Sequence, residues 1–384
     1  MTIMPNDTKN KMEVPVNEPV ISEEAKRNVA EALATGWLSS AGPFVTRFEE
    51  NFATFLGVKH AVAVSSGTAA LHVALLALGI GAGDEVIVPA FSMGACFLSV
   101  LHAGAKPVFV DCEPETYNID TNKIEEKITP KTKAIMAVHT YGHACDMDVI
   151  RTVAKKHKLF VIEDAAEAHG ATYKGKKCGS LGDVGCFSFY ANKIITTGEG
   201  GMIVTNNPSL AHEAAKLKDL YHSDKKRFIH EKVGYNYRLT NLQAAVGLGE
   251  LEHIDEYLEK KVAMAKRYSE ALKKIPGIKI PTTLAGIKNV FWVYAVLIDP
   301  KKFSVNRDTF KKLLQDEGIG TRDFFYPPEE QPVLKNIIGK ETFPNAAYAG
   351  HNGLYLPSGL AITEAQIDYV IEKIKSIAQA NPKA

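Results

Sequence analysis

Between residues 60 and 165, short apolar runs take turns with helix-patterned segments, and no other feature narrows the fold of this chain so far. HAVAVSS (60–66), DEVIVPAF (84–91), KPVFVDC (106–112), KAIMAVHT (133–140) and KLFVIEDA (158–165) each carry an apolar run of about four to six residues. Such runs read as strands buried on both faces, the condition of a parallel sheet covered by its own crossover helices. The crossovers are GTAALHVALLALG, SMGACFLSVLHAGA, a helix near 122–129 and a helix near 147–157. Two further strands, 184–190 and MIVTNN (202–207), bring the count to seven. The expected fold class is α/β: a large domain with a mostly parallel seven-stranded sheet flanked by helices, plus a smaller C-terminal α+β domain.

The flanking segments complete that plan. Residues 1–20 read as an extended N-terminal arm, and Ser22 offers an N-cap with Glu23 and Glu24 in the first turn of a helix ending near Gly36. VTRFEENFATFLG is amphipathic, and Trp37, Phe44 and the Phe48-Phe52-Phe55 stripe read as core and interface packing. A helix over about 208–221 precedes a polar, irregular stretch to residue 235. The helical run from Thr240 breaks near Gly247 and Gly249 and leads into a second domain from about residue 250. That domain holds a strand at 292–299, a helix near 307–317, a strand near 319–326 and a helix over about 363–379. The expected division is thus 1–20, 21–249 and 250–384. With 384 residues, 46% of them hydrophobic, the chain can bury more than one core. Lys plus Arg number 45 against 44 Asp plus Glu, a balance that supports neither a nucleic-acid nor a membrane partner. Five cysteines without CxxC spacing suit a reducing compartment, and no apolar run approaches a membrane span, so the expected location is cytoplasmic.

Three stretches carry chemistry. In DVGCFSFYANKIITTGEGG (183–201), Lys193 stands just beyond a strand end, beside the apolar pair Ile194-Ile195 and before a glycine-rich turn. A partly desolvated lysine has a lowered pKa and a neutral amine that attacks carbonyls, as a Schiff base with pyridoxal phosphate needs; a solvated surface lysine is the plainer alternative. VSSGTAAL (64–71) sets Ser65, Ser66, Gly67 and Thr68 where a strand gives way to a helix, whose free N–H groups accept a phosphate or are simply capped by the serine. VIEDAAEAHG (161–170) puts Asp164 at a strand's carboxyl end, where ligands of open α/β sheets collect. A protonated pyridine nitrogen would satisfy a buried carboxylate there, as would a salt bridge or a cap.

In that order, the three meet the needs of pyridoxal phosphate, and the chain resembles a fold type I aminotransferase of the DegT/DnrJ/EryC1/StrS sugar aminotransferase family. The resemblance runs from TGWLSSAGP through SSGTAALH, GDEVIVPAF, EDAAEAHGA, FSFYANKIITTGEGG and GYNYRLTNLQAA to LPSG. It implies that Lys193 binds the cofactor covalently and shuttles the proton, that Asp164 pairs with the pyridine nitrogen, and that Glu167 sits near the ring hydroxyl or the substrate amine. It further implies that Gly67, Thr68 and Ser188 hold the phosphate, with Asn236 contributed by a second subunit of a homodimer with shared active sites. The implied reaction moves an amino group from L-glutamate to C4 of a nucleotide-linked 4-keto-6-deoxy sugar, GDP-4-keto-6-deoxymannose in the first place. A UDP- or dTDP-linked hexose and a non-enzymatic regulator are the alternatives, whereas a dehydratase of this scaffold would carry histidine in place of Lys193.

Two positions depart from the family pattern: Met93 stands where an aromatic residue stacks on the cofactor ring, and Glu329 where many relatives have a histidine near the substrate. Other motif-like stretches fail on context. GATYKGKK (170–177) has Lys177 where a P-loop needs Ser or Thr, and GIGAG (79–83) precedes a strand instead of following one. His139, His143, Cys145 and Asp148 have metal-ligand types, but on a strand-end loop they read as hydrogen-bonded structure, so no metal is expected.

Overall fold

The protein is described here by a computed structural model, over residues 11–226 and 228–380. Its seven main strands are β1 (His60–Val64), β2 (Glu85–Pro89), β3 (Lys106–Val110), β4 (Thr132–Val138), β5 (Phe160–Asp164), β6 (Val184–Ser188) and β7 (Gly201–Thr205). They form one sheet in the order β1-β7-β6-β5-β4-β2-β3. The pairs β2/β3, β2/β4, β4/β5 and β5/β6 are parallel. Strand β7 runs antiparallel to both neighbours, β1 and β6. Strand β1 therefore points the same way as β6, and Val64, Pro89, Val110, Val138, Asp164 and Ser188 all end at one edge of the sheet.

Helices α1 (Glu23–Thr35), α2 (Pro43–Leu56), α3 (Gly67–Ala77), α4 (Ala95–His102), α5 (Met147–His157), α6 (Pro208–Lys218) and α7 (Asn241–Leu251) belong to this part of the chain. Their ends follow the caps in the sequence. The Ser22 hydroxyl accepts from Ala25 N at 3.1 Å, and Gly36 takes the left-handed conformation at the other end of α1. Lys158, at φ 56°, stops α5 in the same way and delays β5 until Phe160.

Three expectations need correction. The stretch 122–129 is two short 3-10 turns, Thr121–Lys123 and Glu125–Lys127. Between Asp120, whose carboxylate accepts from Asn122 N at 3.1 Å, and Pro130, too few residues remain to offset helix nucleation. Helix α7 is not broken at Gly247 or Gly249; the break falls at Glu252 and His253, before α8 (Ile254–Leu272). The two glycines serve close packing instead: a Cβ on Gly247 would lie 2.7 Å from the Phe48 ring, and one on Gly249 would lie 2.3 Å from Ala25 N. The strand expected over 319–326 shrinks to Arg322–Asp323.

Beyond α8, strands β8 (Ile278–Lys279), β9 (Tyr294–Ile298), β10 (Arg322–Asp323) and β11 (Gly353–Leu356) form a second sheet, antiparallel and ordered β8-β9-β11-β10. Helices α9 (Arg307–Asp316) and α11 (Glu364–Ala380), with the short α10 (Pro344–Asn352) between them, accompany it. A second core gathers Met264, Tyr268, Phe303, Phe310, Val370 and Ile374, and Val14 of the N-terminal segment joins it. The core under the large sheet also takes in Val290, Trp292, Phe324 and Tyr355. The expected arm over residues 1–20 lies partly outside the described residues. The P-loop-like GATYKGKK forms a hairpin of Thr172–Tyr173 and Lys176–Lys177, with no helix after it. No helix among the described residues is long and apolar enough to cross a membrane.

Candidate active site

The strand ends bring together most of the residues singled out in the sequence. Asp164 is the last residue of β5 and Ser188 the last of its parallel neighbour β6, with Asp164 opposite Cys186 in register. Beside them, β1 gives way to α3. The Ser66 hydroxyl accepts from Ala69 N at 3.1 Å and its carbonyl from Ala70 N, which leaves the first two helix N–H groups, those of Gly67 and Thr68, without a helical acceptor. A Cβ on Gly67 would come within 2.7 Å of Ser188 Cβ. Only a bare backbone allows the helix start and the strand end to form so tight a cradle.

Lys193 lies on the loop between β6 and β7. That loop is closed at its base, where Phe189 N donates to Gly200 O at 2.8 Å and Thr197 N to Phe189 O at 2.9 Å. The Lys193 side chain is only 10% exposed, with Nζ 4.0 Å from Glu167 Oε1. Burial pushes this amine below its ordinary pKa, opposed by the negative charges of Glu167 and Asp164. Burial likewise raises Glu167, to about 7, against the pull of Lys193 and of the Tyr141 N–H that donates to Glu167 Oε2 at 2.7 Å. Desolvation thus works against both charges of the pair and favours a neutral amine beside a protonated carboxyl.

Asp164 is buried. Its Oδ1 accepts from Ala166 N at 3.0 Å, and its Oδ2 from the Cys96 thiol at 3.1 Å. Burial first, and then the Asp164 charge, push that thiol well above its usual range, so it stays a neutral donor. His169 is buried with its ring 5.3 Å from that of Phe187 and 5.6 Å from that of Phe189; burial lowers its pKa to about 3 and keeps it uncharged.

The remaining expected residues stand apart from this group. Met93 is 58% exposed on the turn before α4, one helical turn ahead of Cys96. Asn236 is exposed, bridged through its backbone to Asp219, between Tyr235 and Tyr237, whose rings stack at 5.1 Å. Glu329 accepts from Phe343 N at 3.0 Å through Oε1, while its buried Oε2 has no partner. His139 and His143 are taken up by structure. His139 Nε2 lies 2.9 Å from Glu163, which also accepts three backbone N–H groups of residues 179–182. His143 Nδ1 lies 2.8 Å from Ala144 O.

Sequence reasoning missed Cys96, Tyr141 and Trp292. Tyr141 follows β4 and was within reach of the carboxyl-end rule that found Asp164. Cys96 and Trp292 gave no signal, because one reads as a helix residue and the other as the start of an apolar strand.

Residues 19–375 match the model of the DegT/DnrJ/EryC1/StrS aminotransferase family. The chain is 45% identical to the GDP-perosamine synthase of Caulobacter vibrioides over 95% of its own length and 98% of that protein's. Identity to the GDP-perosamine synthase of Vibrio cholerae is 40%, over 94% and 98% of the two lengths. Among solved structures, the PLP form of the putative sugar aminotransferase Spr1654 from Streptococcus pneumoniae superposes with a TM-score of 0.91 at 27% identity, covering 97% of this chain and all of that one. The chain belongs to the DegT/DnrJ/EryC1/StrS aminotransferase family, whose cofactor is pyridoxal phosphate.

Proposed function

We propose that this aminotransferase makes GDP-perosamine, taking its amino group from L-glutamate and placing it on C4 of GDP-4-keto-6-deoxymannose. The reaction class is carried by one observation: a buried amine, Lys193 Nζ, with a raised carboxyl 4.0 Å away at the carboxyl edge of the sheet. The choice of sugar follows the relatives that match over nearly the whole chain.

The residues present fit the cofactor. The cradle between Gly67 and Ser188, with the N–H groups of Gly67 and Thr68 and the Ser188 hydroxyl, suits a phosphate. The buried Asp164 carboxylate suits the cationic pyridine nitrogen, and Met93, one helical turn ahead of the Cys96 that bonds Asp164, would reach the ring only if its exposed thioether turned inward. When bound, pyridoxal phosphate supplies an aldehyde that receives the amino group and a cationic ring that takes up the electrons of a broken C–H bond. The chain does the rest. Lys193 Nζ would hold the aldehyde end of the cofactor, and as a neutral amine it would accept the proton from Cα of the amino acid and return one to C4 of the sugar. Glu167 keeps that nitrogen near the point of proton exchange. Asn236 completes the phosphate site of a second subunit, which makes the working form a homodimer.

Absorption spectra with pyridoxal phosphate test the reading. A visible band is expected that shifts to shorter wavelength on addition of L-glutamate and is missing in Lys193→Ala. GDP-4-keto-6-deoxymannose should then restore the first band and give the amino sugar, with parallel double-reciprocal plots, while UDP- and dTDP-linked ketosugars turn over more slowly. A band that glutamate leaves unchanged would refute the assignment.

A further inference from the structure

Trp292 is held at every polar group it has. Its main-chain N–H donates to Tyr141 O at 3.1 Å, its carbonyl accepts from Lys261 Nζ at 2.8 Å, and its indole Nε1–H donates to Asn192 O at 2.8 Å. The residue before it, Phe291, is held at φ 48°, a conformation that bulky side chains adopt only when their surroundings impose it. Lys261 is itself buried, and its nitrogen also donates to Ser358 O. A lysine sequestered to hold two carbonyls is a costly device, and here it pins the main chain at Trp292 and Ser358 while Asn192 O holds the indole N–H. The face of that ring is turned to Lys193, whose Nζ lies 3.7 Å from the ring centroid, nearer than it lies to Glu167.

We propose that Trp292 is a positioning residue for Lys193, its indole face being the resting place of the side-chain nitrogen whenever that nitrogen carries a proton and is not bonded to the cofactor. The inference rests on the reading of Lys193 as the reacting amine. A lysine that carries a proton from one carbon to another must wait between the two transfers on four freely rotating bonds. An aromatic face attracts the ammonium and not the neutral amine, so the nitrogen is held while it is loaded and let go once it has delivered its proton. Glu167 alone would hold it less selectively, because its own charge depends on the same proton.

The cofactor-free protein provides the test. Trp37 and Trp292 are the two tryptophans of the chain, so Trp37→Phe leaves the emission of Trp292 alone. That emission should show a pH step as the ammonium beside the ring titrates, and the step should vanish when Lys193→Met is added; identical pH curves for the two proteins overturn the proposal. A second measurement reads the lysine. Competitive acylation with mass spectrometry reports the neutral fraction of Lys193 in Trp292→Phe, which keeps an aromatic face, and in Trp292→Leu, which has similar bulk without one. Both lose the indole N–H, so their difference isolates the ring. Below the pKa of Lys193, the amine should react roughly three- to thirtyfold faster in the leucine variant than in the phenylalanine variant. Equal rates overturn the proposal as well. The two readings fail separately: a wild-type protein without a Lys193-dependent absorption band refutes the reacting amine, whereas unchanged emission in the cofactor-free protein refutes only the ring contact.

Discussion

At the scale of single residues, desolvation is the common cause behind the site. It lowers Lys193 and raises Glu167. Glu167, ordinarily near 4.5, is raised to about 7, so the folded protein binds a proton that the unfolded chain releases. Its contribution to stability is therefore full below about pH 4.5 and lost as pH rises through about 7. Thermal unfolding of the cofactor-free protein should show this loss, on the order of 3 kcal/mol, and Glu167→Gln should flatten it. Asp164→Asn keeps the shape but removes the charge; the rate of amino transfer should fall roughly a hundredfold or more, while the circular dichroism of the protein stays unchanged. Lys193 and Asp164 were legible in the sequence because they stand beyond and at a strand's carboxyl end, where an open sheet gathers its ligands, whereas Glu167 was reached only through the family resemblance. Trp292 was not, since what singles it out is a set of partners 31 to 151 positions away along the chain, those of its N–H, its carbonyl and its indole.

At the scale of elements, local signals set the ends and packing set the breaks. The cap at Ser22, the helix that starts at Gly67 and the seven apolar runs were all readable one segment at a time. Pattern alone misread Gly247 and Gly249, because a glycine within a helical run looks the same whether it breaks the helix or admits a neighbour. The neighbours here are Phe48 of α2 at Gly247 and the first turn of α1 at Gly249, where Ser22 N, at the cap, donates to Glu250 Oε1 at 2.8 Å. Gly249→Val should cost at least about 2 kcal/mol by overpacking this crossing, although valine is otherwise tolerated in helices. Chemical denaturation would read that loss, and an unchanged midpoint would mean that α1 moves away freely.

At the scale of the whole molecule, we infer that residues 250–384 form a second domain, which owns the antiparallel sheet and the core around Tyr268 and Phe310 while lending Trp292 and Phe324 to the first. The exposed Asn236 bears on assembly. If it serves a partner's site, an equimolar mixture of inactive Lys193→Ala and Asn236→Ala proteins, dissociated and reassembled, should regain about a quarter of wild-type activity, since half the dimers are mixed and each has one intact site. Recovery near zero would place Asn236 and Lys193 in the same site. Strand β7, the antiparallel member between β1 and β6, gives the Lys193 loop a further property. By returning the chain to the middle of the sheet, it makes that loop the tip of an interior hairpin, pinned at Phe189 and Gly200. The hydrogen-bonded amide protons at its base, those of Phe189 and Thr197, should exchange with deuterium far more slowly than the amides of the exposed turn at Gly198 and Glu199. A chain that has partly melted at its ends would still hold the two central strands that carry its reactive lysine, so fraying of the termini should leave the site standing and loss of the sheet should abolish it.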